Sequence, residues 1–240
     1  MTINDLAKSL NEGNQIDSVL LDFSKAIDKV DHHKLSLKLE HYGIRGKTLK
    51  WIQHYLHDRT QTVVLNGKNS EKTPVVSGVP QGTVLGPLLF LVYINDLPSI
   101  VDSQIRLFAD DALIYRKINL VNDTKQLQSD IEKLLEWESN WSMEFNPDKC
   151  KVLRITNKRN ITISNYIMRN QILEVVESAK YLGVFINKKL SWNKHIDYTA
   201  KRANQVRCFI QHNLRTCYRD QYLNIDLLFG TLTHPATSIN

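Results

Sequence analysis

"RLFADDALIY", residues 106–115, sets two acids side by side between two short apolar runs. Leu107, Phe108 and Ala109 lead in; Ala112, Leu113 and Ile114 lead out. A tight turn between strands ordinarily uses Asn-Gly or Asp-Gly, because glycine tolerates positive φ. Here the predicted turn reads Asp110-Asp111, two like charges in place of a residue that would ease the chain reversal. A matching element lies upstream: "SVLLDFSKAID" (18–28) begins as a buried strand through Val19, Leu20 and Leu21 and meets acid at Asp22. If these strands are neighbours in one sheet, three carboxylates converge at one edge. Like charges that close raise each other's pKa. A hard divalent cation removes the cost, and Mg²⁺ prefers a few carboxylates together with phosphates and water. Asp is common in turns, and each acid taken singly reads as a solvated loop residue. The apolar strands that aim all three are what point to a metal site.

Working outward, "DHHKLSLKLEHYG" (31–43) alternates as a strand would at Leu35, Leu37 and Leu39, while Leu35, Leu39 and Tyr42 share a helix face. Gly43 at its end favours the helix. "KTLKWIQHYLHDR" (47–59) continues as a second helix with Leu49, Ile52 and Leu56 inward, and Asn66-Gly67 marks a hairpin. The glycine-punctuated loop "SGVPQG" (77–82) opens into an apolar stretch from Val84 that reads as a buried helix ending near Asp96 and is too short to span a bilayer. A long amphipathic helix is predicted from about Asp123, with Gln126 as a capping-box partner and Leu127, Ile131, Leu134 and Trp141 inward. Short strands follow at "KCKVLRIT" (149–156), "ITISNYI" (161–167), "QILEVV" (171–176) and "KYLGVFI" (180–186). From Trp192 the pattern is helical again, with Ile196, Ala203, Val206 and Ile210 inward and Lys194, Lys201, Arg202 and Arg207 among the rest. This order predicts an α+β fold, an antiparallel sheet backed by helices, with a second helical piece from about residue 190.

The 240 residues, 42% hydrophobic and 23% charged, fit a soluble domain with or without an appendage. A net charge of +6 permits a polyanionic partner without requiring one. Three cysteines, Cys150, Cys208 and Cys217, with no CxxC pair argue against a disulfide framework or zinc site and for a reducing compartment. The polar N-terminus has no apolar signal core. The histidines His32, His33, His41, His54 and His57 lack a shared metal spacing and read as surface or core residues.

"VLLDFSKAIDKVDH" (19–32), "SGVPQGTVLGPLLFLVYINDLP" (77–98), "RLFADDALIY", "WSMEFNPDKCKVLRIT" (141–156) and "YLGVFINKKLSWNKHI" (181–196) occur in that order. Together they resemble successive palm motifs of the reverse transcriptase of non-LTR, LINE-like retrotransposons, over about residues 18–214. The resemblance implies a right-hand polymerase palm over 1–190 that copies an RNA template into DNA from a DNA primer 3′-hydroxyl using dNTPs. It implies Asp22 and Asp110 as principal ligands of two Mg²⁺ ions, for which Mn²⁺ can substitute, with Asp111 the second acid of the hairpin and the Phe23 carbonyl near a metal. One ion would lower the pKa of the primer hydroxyl and the other would neutralise the triphosphate. Gln81 resembles the residue packing against nucleotide and template; Gly78 and Gly82 would let the backbone approach the nascent base pair or simply shape the loop, which Pro80 stiffens. Lys149 resembles the lysine near the triphosphate, and Tyr181, Leu182 and Gly183 the primer-gripping hairpin. The basic residues after Trp192 would track the primer–template backbone.

Three departures qualify the resemblance. The family usually carries an aromatic at the position of Ile27, where its edge excludes a ribose 2′-hydroxyl, so weaker exclusion of ribonucleotides is expected. With only about twenty residues before the first block, the fingers are expected to be largely missing and no endonuclease is expected ahead of them. The pattern fades after about Asp220, so 191–240 reads as a partial helical thumb. A truncated, inactive relic that folds and binds nucleic acid is the rival reading. A third, a nucleotidyl cyclase, fits poorly because it needs no template or primer grip. Localisation would be intracellular, and nuclear if the element is active.

Overall fold

The computed structural model describes residues 2–213. Strands β1 (Gln15–Asp22), β6 (Gln104–Phe108), β7 (Asp111–Ile118), β8 (Lys151–Ile155) and β11 (Glu174–Val176) form one sheet in the order β11-β8-β1-β7-β6. β1 is antiparallel to both neighbours, and β6 to β7, whereas β11 runs parallel to β8. The antiparallel sheet expected from sequence therefore gains one parallel edge. A parallel partner requires a long crossover, which the excursion between β8 and β11 supplies.

Side chains alternate across the sheet. Val19, Leu21, Ala112, Ile114 and Val152 join the main core with residues of α2 (His32–His41), α3 (Gly46–Leu56), α4 (Leu85–Ile94), α5 (Leu97–Ile100) and α6 (Val121–Trp141). Ile16, Leu113, Tyr115, Leu153 and Ile155 face the other way, onto a smaller cluster. That cluster is closed by Leu6 and Leu10 of α1 (Thr2–Asn11), by Tyr181 of β12 (Ser178–Tyr181) and by Ile186 of β13 (Val184–Asn187). Asp22 has the parity of Ile16, and Asp111 that of Leu113. Both carboxylates therefore stand on the more thinly covered side.

The helix reading of 31–43 holds: the Asp31 carboxylate accepts from the Lys34 amide, Leu35 and Leu39 are buried, and Gly43 takes φ +84°. Tyr42, expected inward, is the C-cap and is exposed. In α3 Leu49, Ile52 and Leu56 are inward as expected. Asn66-Gly67 joins β3 (Val64–Leu65) to β4 (Lys68–Asn69), both turn residues at positive φ, outside which β2 (Thr60–Gln61) pairs with β5 (Thr73–Pro74).

Four expectations are corrected. α4 is buried on one face only, since Leu88 and Leu91 are exposed, as is Val84 at its N-cap. α6 begins at Val121, and Asp123 serves from within its first turn by accepting from the Asn119 and Leu120 amides, while Gln126 donates to Asp102 instead of closing a capping box. Residues 161–166 form no strand because their polar groups are satisfied from elsewhere. The Gln15 amide bonds both the amide and carbonyl of Thr162, and Arg154 takes the Ser164 carbonyl. Only Ile167 from that stretch pairs, in the hairpin of β9 (Ile167–Met168) with β10 (Gln171–Ile172). Finally, α7 (Asn193–Asn213) buries no residue; Ile196 and Val206 are exposed and Ala203 and Ile210 half-covered. Of the thumb-like region expected over 191–240, residues 214–240, with Cys217, lie outside the described residues.

Candidate active site

The register of β1 with β7 sets Asp22 directly opposite Asp111. Asp111 also faces Phe108 across the β6–β7 hairpin, so the turn is Ala109-Asp110 rather than the expected Asp110-Asp111, with Ala109 at φ +50°. One acid closes the turn while the other is held in the ladder. This difference of one residue matters because a strand position fixes Asp111 on the same face as Asp22.

β1 does not stop at Asp22. The chain continues into an isolated bridge between Phe23 and Phe145, closed by the Ser24 amide on the Glu144 carbonyl (2.7 Å) and the Asn146 amide on the Asp22 carbonyl (2.8 Å). Phe23's own carbonyl takes no part in that bridge. Its ring is buried and stacks on Phe145 at 4.4 Å between centroids, with Trp137 at 6.3 Å. Burying such a ring contributes about 1.5–3 kcal/mol, and here it anchors the strand end that carries Asp22. The 144–146 segment is clamped in turn: Glu138 accepts from the Phe145 amide, and Glu144 pairs with Lys29 and Arg169.

The protein offsets the charge of the acids only in part. Burial, then the charges of Asp110 and Asp22, push the Asp111 carboxyl above its usual range. Asp22 Oδ2 is buried without a hydrogen-bond partner; its cation is Lys149 Nζ at 3.3 Å, an ion pair without hydrogen-bond alignment. Among the described residues no three Asp, Glu, His or Cys side chains close into a ligand cage. An open, carboxylate-rich edge suits Mg²⁺, which keeps several waters and substrate phosphates rather than an all-protein shell. Beside Asp22 and Asp111 lies a cleft of about 280 Å³ whose walls include Lys149, Lys151, Lys180 and Tyr181. The expected lysine and the expected grip tyrosine therefore border the acids. Leu182 and Gly183 form the β12–β13 turn, at φ +47° and +83°.

The other expected residues gather around the turn that follows Phe23. Ile27 opens a 3₁₀ turn, Ile27–Lys29, and packs partly buried on the main core. The 77–82 loop is fastened to it. The Gly78 amide donates to the Val30 carbonyl (2.8 Å), the Val79 amide to the Ile27 carbonyl (3.1 Å), and Ser77 Oγ to the Asp28 carbonyl (2.8 Å). His32 Nε2 donates to the Gly78 carbonyl at 2.7 Å, which gives this histidine a structural use. Gly78 approaches the chain's own backbone: a Cβ there would lie 2.8 Å from Asp28 Cα. Gly82, at φ +75°, has nothing near it and Pro80 is half-buried.

Sequence reasoning missed several residues that build this site. Gly86 is one, since its Cβ would meet the Pro80 carbonyl at 2.1 Å. A glycine inside a helical pattern was the available signal. Glu144 and Asp28 carry no signal of their own, because their partners come from distant segments.

An antiparallel sheet roofed by helices, with acids at adjoining strand ends, is the palm of a right-hand polymerase. The solved structure of apo telomerase from Candida tropicalis truncated from its C-terminal domain superposes with a TM-score of 0.51 at 15% identity, over 80% of this chain and 37% of that one. Apo telomerase from the same organism gives 0.52 at 13% identity, over 79% and 34%. Residues 4–186 match the family model of reverse transcriptase (RNA-dependent DNA polymerase), and the chain belongs to that family. Its relatives include the probable RNA-directed DNA polymerase from transposon X-element of Drosophila melanogaster, 30% identical over 75% of this chain and 20% of that protein. The RNA-directed DNA polymerase from mobile element jockey of the same organism is 28% identical over 73% and 20%. The resemblance to non-LTR retrotransposon polymerases is thereby borne out. The chain spans about a fifth of the length of these relatives.

Proposed function

We propose that this chain is the polymerising part of an RNA-directed DNA polymerase, adding deoxynucleotides from dNTPs to a primer 3′-hydroxyl on an RNA template. The observation that carries the reading is the register of Asp22 against Asp111, with Asp110 in the adjoining turn. Asp22, Asp110, Asp111 and the Phe23 carbonyl would hold two Mg²⁺ ions, or Mn²⁺ in their place. The absence of a hydrogen bond to Asp22 Oδ2 and the raised Asp111 carboxyl support that assignment. Bound there, divalent cations acidify the primer hydroxyl and offset the charge of the triphosphate.

The chain's own residues supply position and field. Lys149, beside Asp22, brings a positive charge toward the triphosphate and a proton for the departing pyrophosphate. Ile27 lies against the sugar, while Gln81 and Gly82 present the 77–82 loop to the base pair, with Gly78 and Pro80 shaping it. The turn at Tyr181, Leu182 and Gly183 holds the primer end. Residues 1–190 act as the palm, and α7 opens the thumb, its Lys194, Lys201, Arg202 and Arg207 following the nucleic-acid backbone.

Primer extension on an RNA template with Mg²⁺ or Mn²⁺ tests this, with Asp110→Ala as control. Extension that the substitution abolishes is the expected result. Absence of extension with RNA–DNA binding retained would overturn it in favour of an inactive nucleic-acid-binding relic.

A further inference from the structure

Gln81 is held by a carboxylate: its Nε2 donates to Asp28 Oδ1 at 3.0 Å. A carboxylate only accepts, so the amide orientation is set by chemistry and not left to choice. The NH₂ end is committed to Asp28, and the carbonyl oxygen is the end left to meet a ligand. The Asp28 backbone is held in place, because it lies in the 3₁₀ turn, accepts from Ser77 Oγ, and packs so closely against Gly78 that no Cβ would fit between them. The contact therefore forms before any ligand arrives.

We propose that Asp28 is a positioning residue that presents Gln81 to the nascent base pair as a hydrogen-bond acceptor, selecting a hydroxyl or amino donor on the incoming nucleotide or template. This deepens the polymerase reading above and rests on it. Because Asp28 directly follows Ile27, the same short turn carries both the residue against the sugar and the residue that orients Gln81. Nucleotide selection is then a property of the turn as a unit.

The test uses a reciprocal exchange. Asp28→Ala frees the amide to rotate, so KM for the nucleotide rises about twofold to fivefold, the loss expected for one exposed charge-assisted hydrogen bond, while kcat falls less than about twofold. Gln81→Glu alone sets two carboxylates against each other and is worse. In D28N/Q81E donor and acceptor change sides, an acceptor again faces the ligand, and KM returns toward the wild-type value. A D28A protein with unchanged KM, or an exchange variant no better than Q81E, overturns the proposal. Independently of catalysis, the Gln81 side-chain amide resonances of the full chain should be resolved and shifted in wild type and collapse toward free glutamine in D28A; resonances that do not move also overturn it. If wild type fails to extend a primer, the polymerase reading falls, and the resonances still decide the orientation.

Discussion

Substituting alanine at Gly78 and, separately, at Gly82 distinguishes a glycine the fold needs from one a ligand needs. Both residues have positive φ, +85° and +75°. An L-residue in the left-handed region costs about 1–2 kcal/mol, so that penalty is common to both variants. They differ in space. At Gly78 the new methyl would lie 2.8 Å from Asp28 Cα, 2.9 Å from the Asp28 carbonyl and 3.0 Å from that of Ile27, all backbone atoms that cannot swing aside. At Gly82 nothing lies within 4 Å. Forcing a methyl into a filled site typically costs about 1–3 kcal/mol. G78A should therefore lose about 2–5 kcal/mol and G82A about 1–2 kcal/mol. For a domain whose stability is about 5–15 kcal/mol, the first is a severe lesion. Urea unfolding monitored by tryptophan fluorescence reads the difference as a shift in midpoint at constant slope. In primer extension G82A should lose activity out of proportion to its small stability change, whereas any loss in G78A should track unfolding of the 77–82 loop. Equal destabilisation by the two substitutions would refute the assignment of Gly78 to the fold.

The remaining predictions concern the acids, the lysine and the sugar contact. Asp111 is raised by burial and by its acidic neighbours, so its contribution to stability is present at low pH and is lost as pH rises through its elevated folded pKa. D111N should accordingly raise the melting temperature of the metal-free protein at about pH 7 while abolishing extension; a lower melting temperature in chelator-containing buffer would contradict this. Lys149 is an exposed partner of Asp22, so K149M should change stability by less than about 1 kcal/mol. If it is the proton donor, the same variant lowers kcat by about 100-fold or more, and an unaffected kcat would remove it from that role. I27F should increase the preference for dNTP over rNTP by about tenfold, measured as the ratio of kcat/KM values; an unchanged ratio would show that residue 27 does not meet the ribose.

Much of the fold was legible because its signals are local. Gly43 ends α2 and Asn66-Gly67 turns a hairpin, each through neighbouring backbone groups alone. The apolar run of β1 and the apolar flanks of the β6–β7 hairpin announced strands leading to acid. Where local pattern failed, a distant group had intervened. The strand-like residues 161–166 are diverted by Gln15, about 147 positions away, whose amide replaces a strand partner for Thr162. Lys38 looks like a surface lysine in its helix, yet it is buried against Tyr93, Trp137 and Trp141 and pairs with Asp96 at 2.6 Å, partners supplied by other helices and their connections. α1 was not predicted although Ile3, Leu6 and Leu10 are spaced for one helix face, and it docks because the sheet face left by β1, β7 and β8 offers them an apolar surface.

By itself, then, the sequence determined that three carboxylates adjoin apolar runs, that a glycine-rich loop precedes an apolar helix, and which family these blocks resemble. Those properties depend on residue order and on periodicity, which a single chain displays. Only the tertiary structure decided that Asp22 faces Asp111 across one ladder, that Asp110 alone sits in the turn with Ala109, and that Lys149 stands 3.3 Å from Asp22. It also decided that Gly78 yields to Asp28, whose carboxylate orients Gln81. Register and approach are set by which surfaces bury together and which polar groups find partners, and both are properties of pairs of segments that no local window contains.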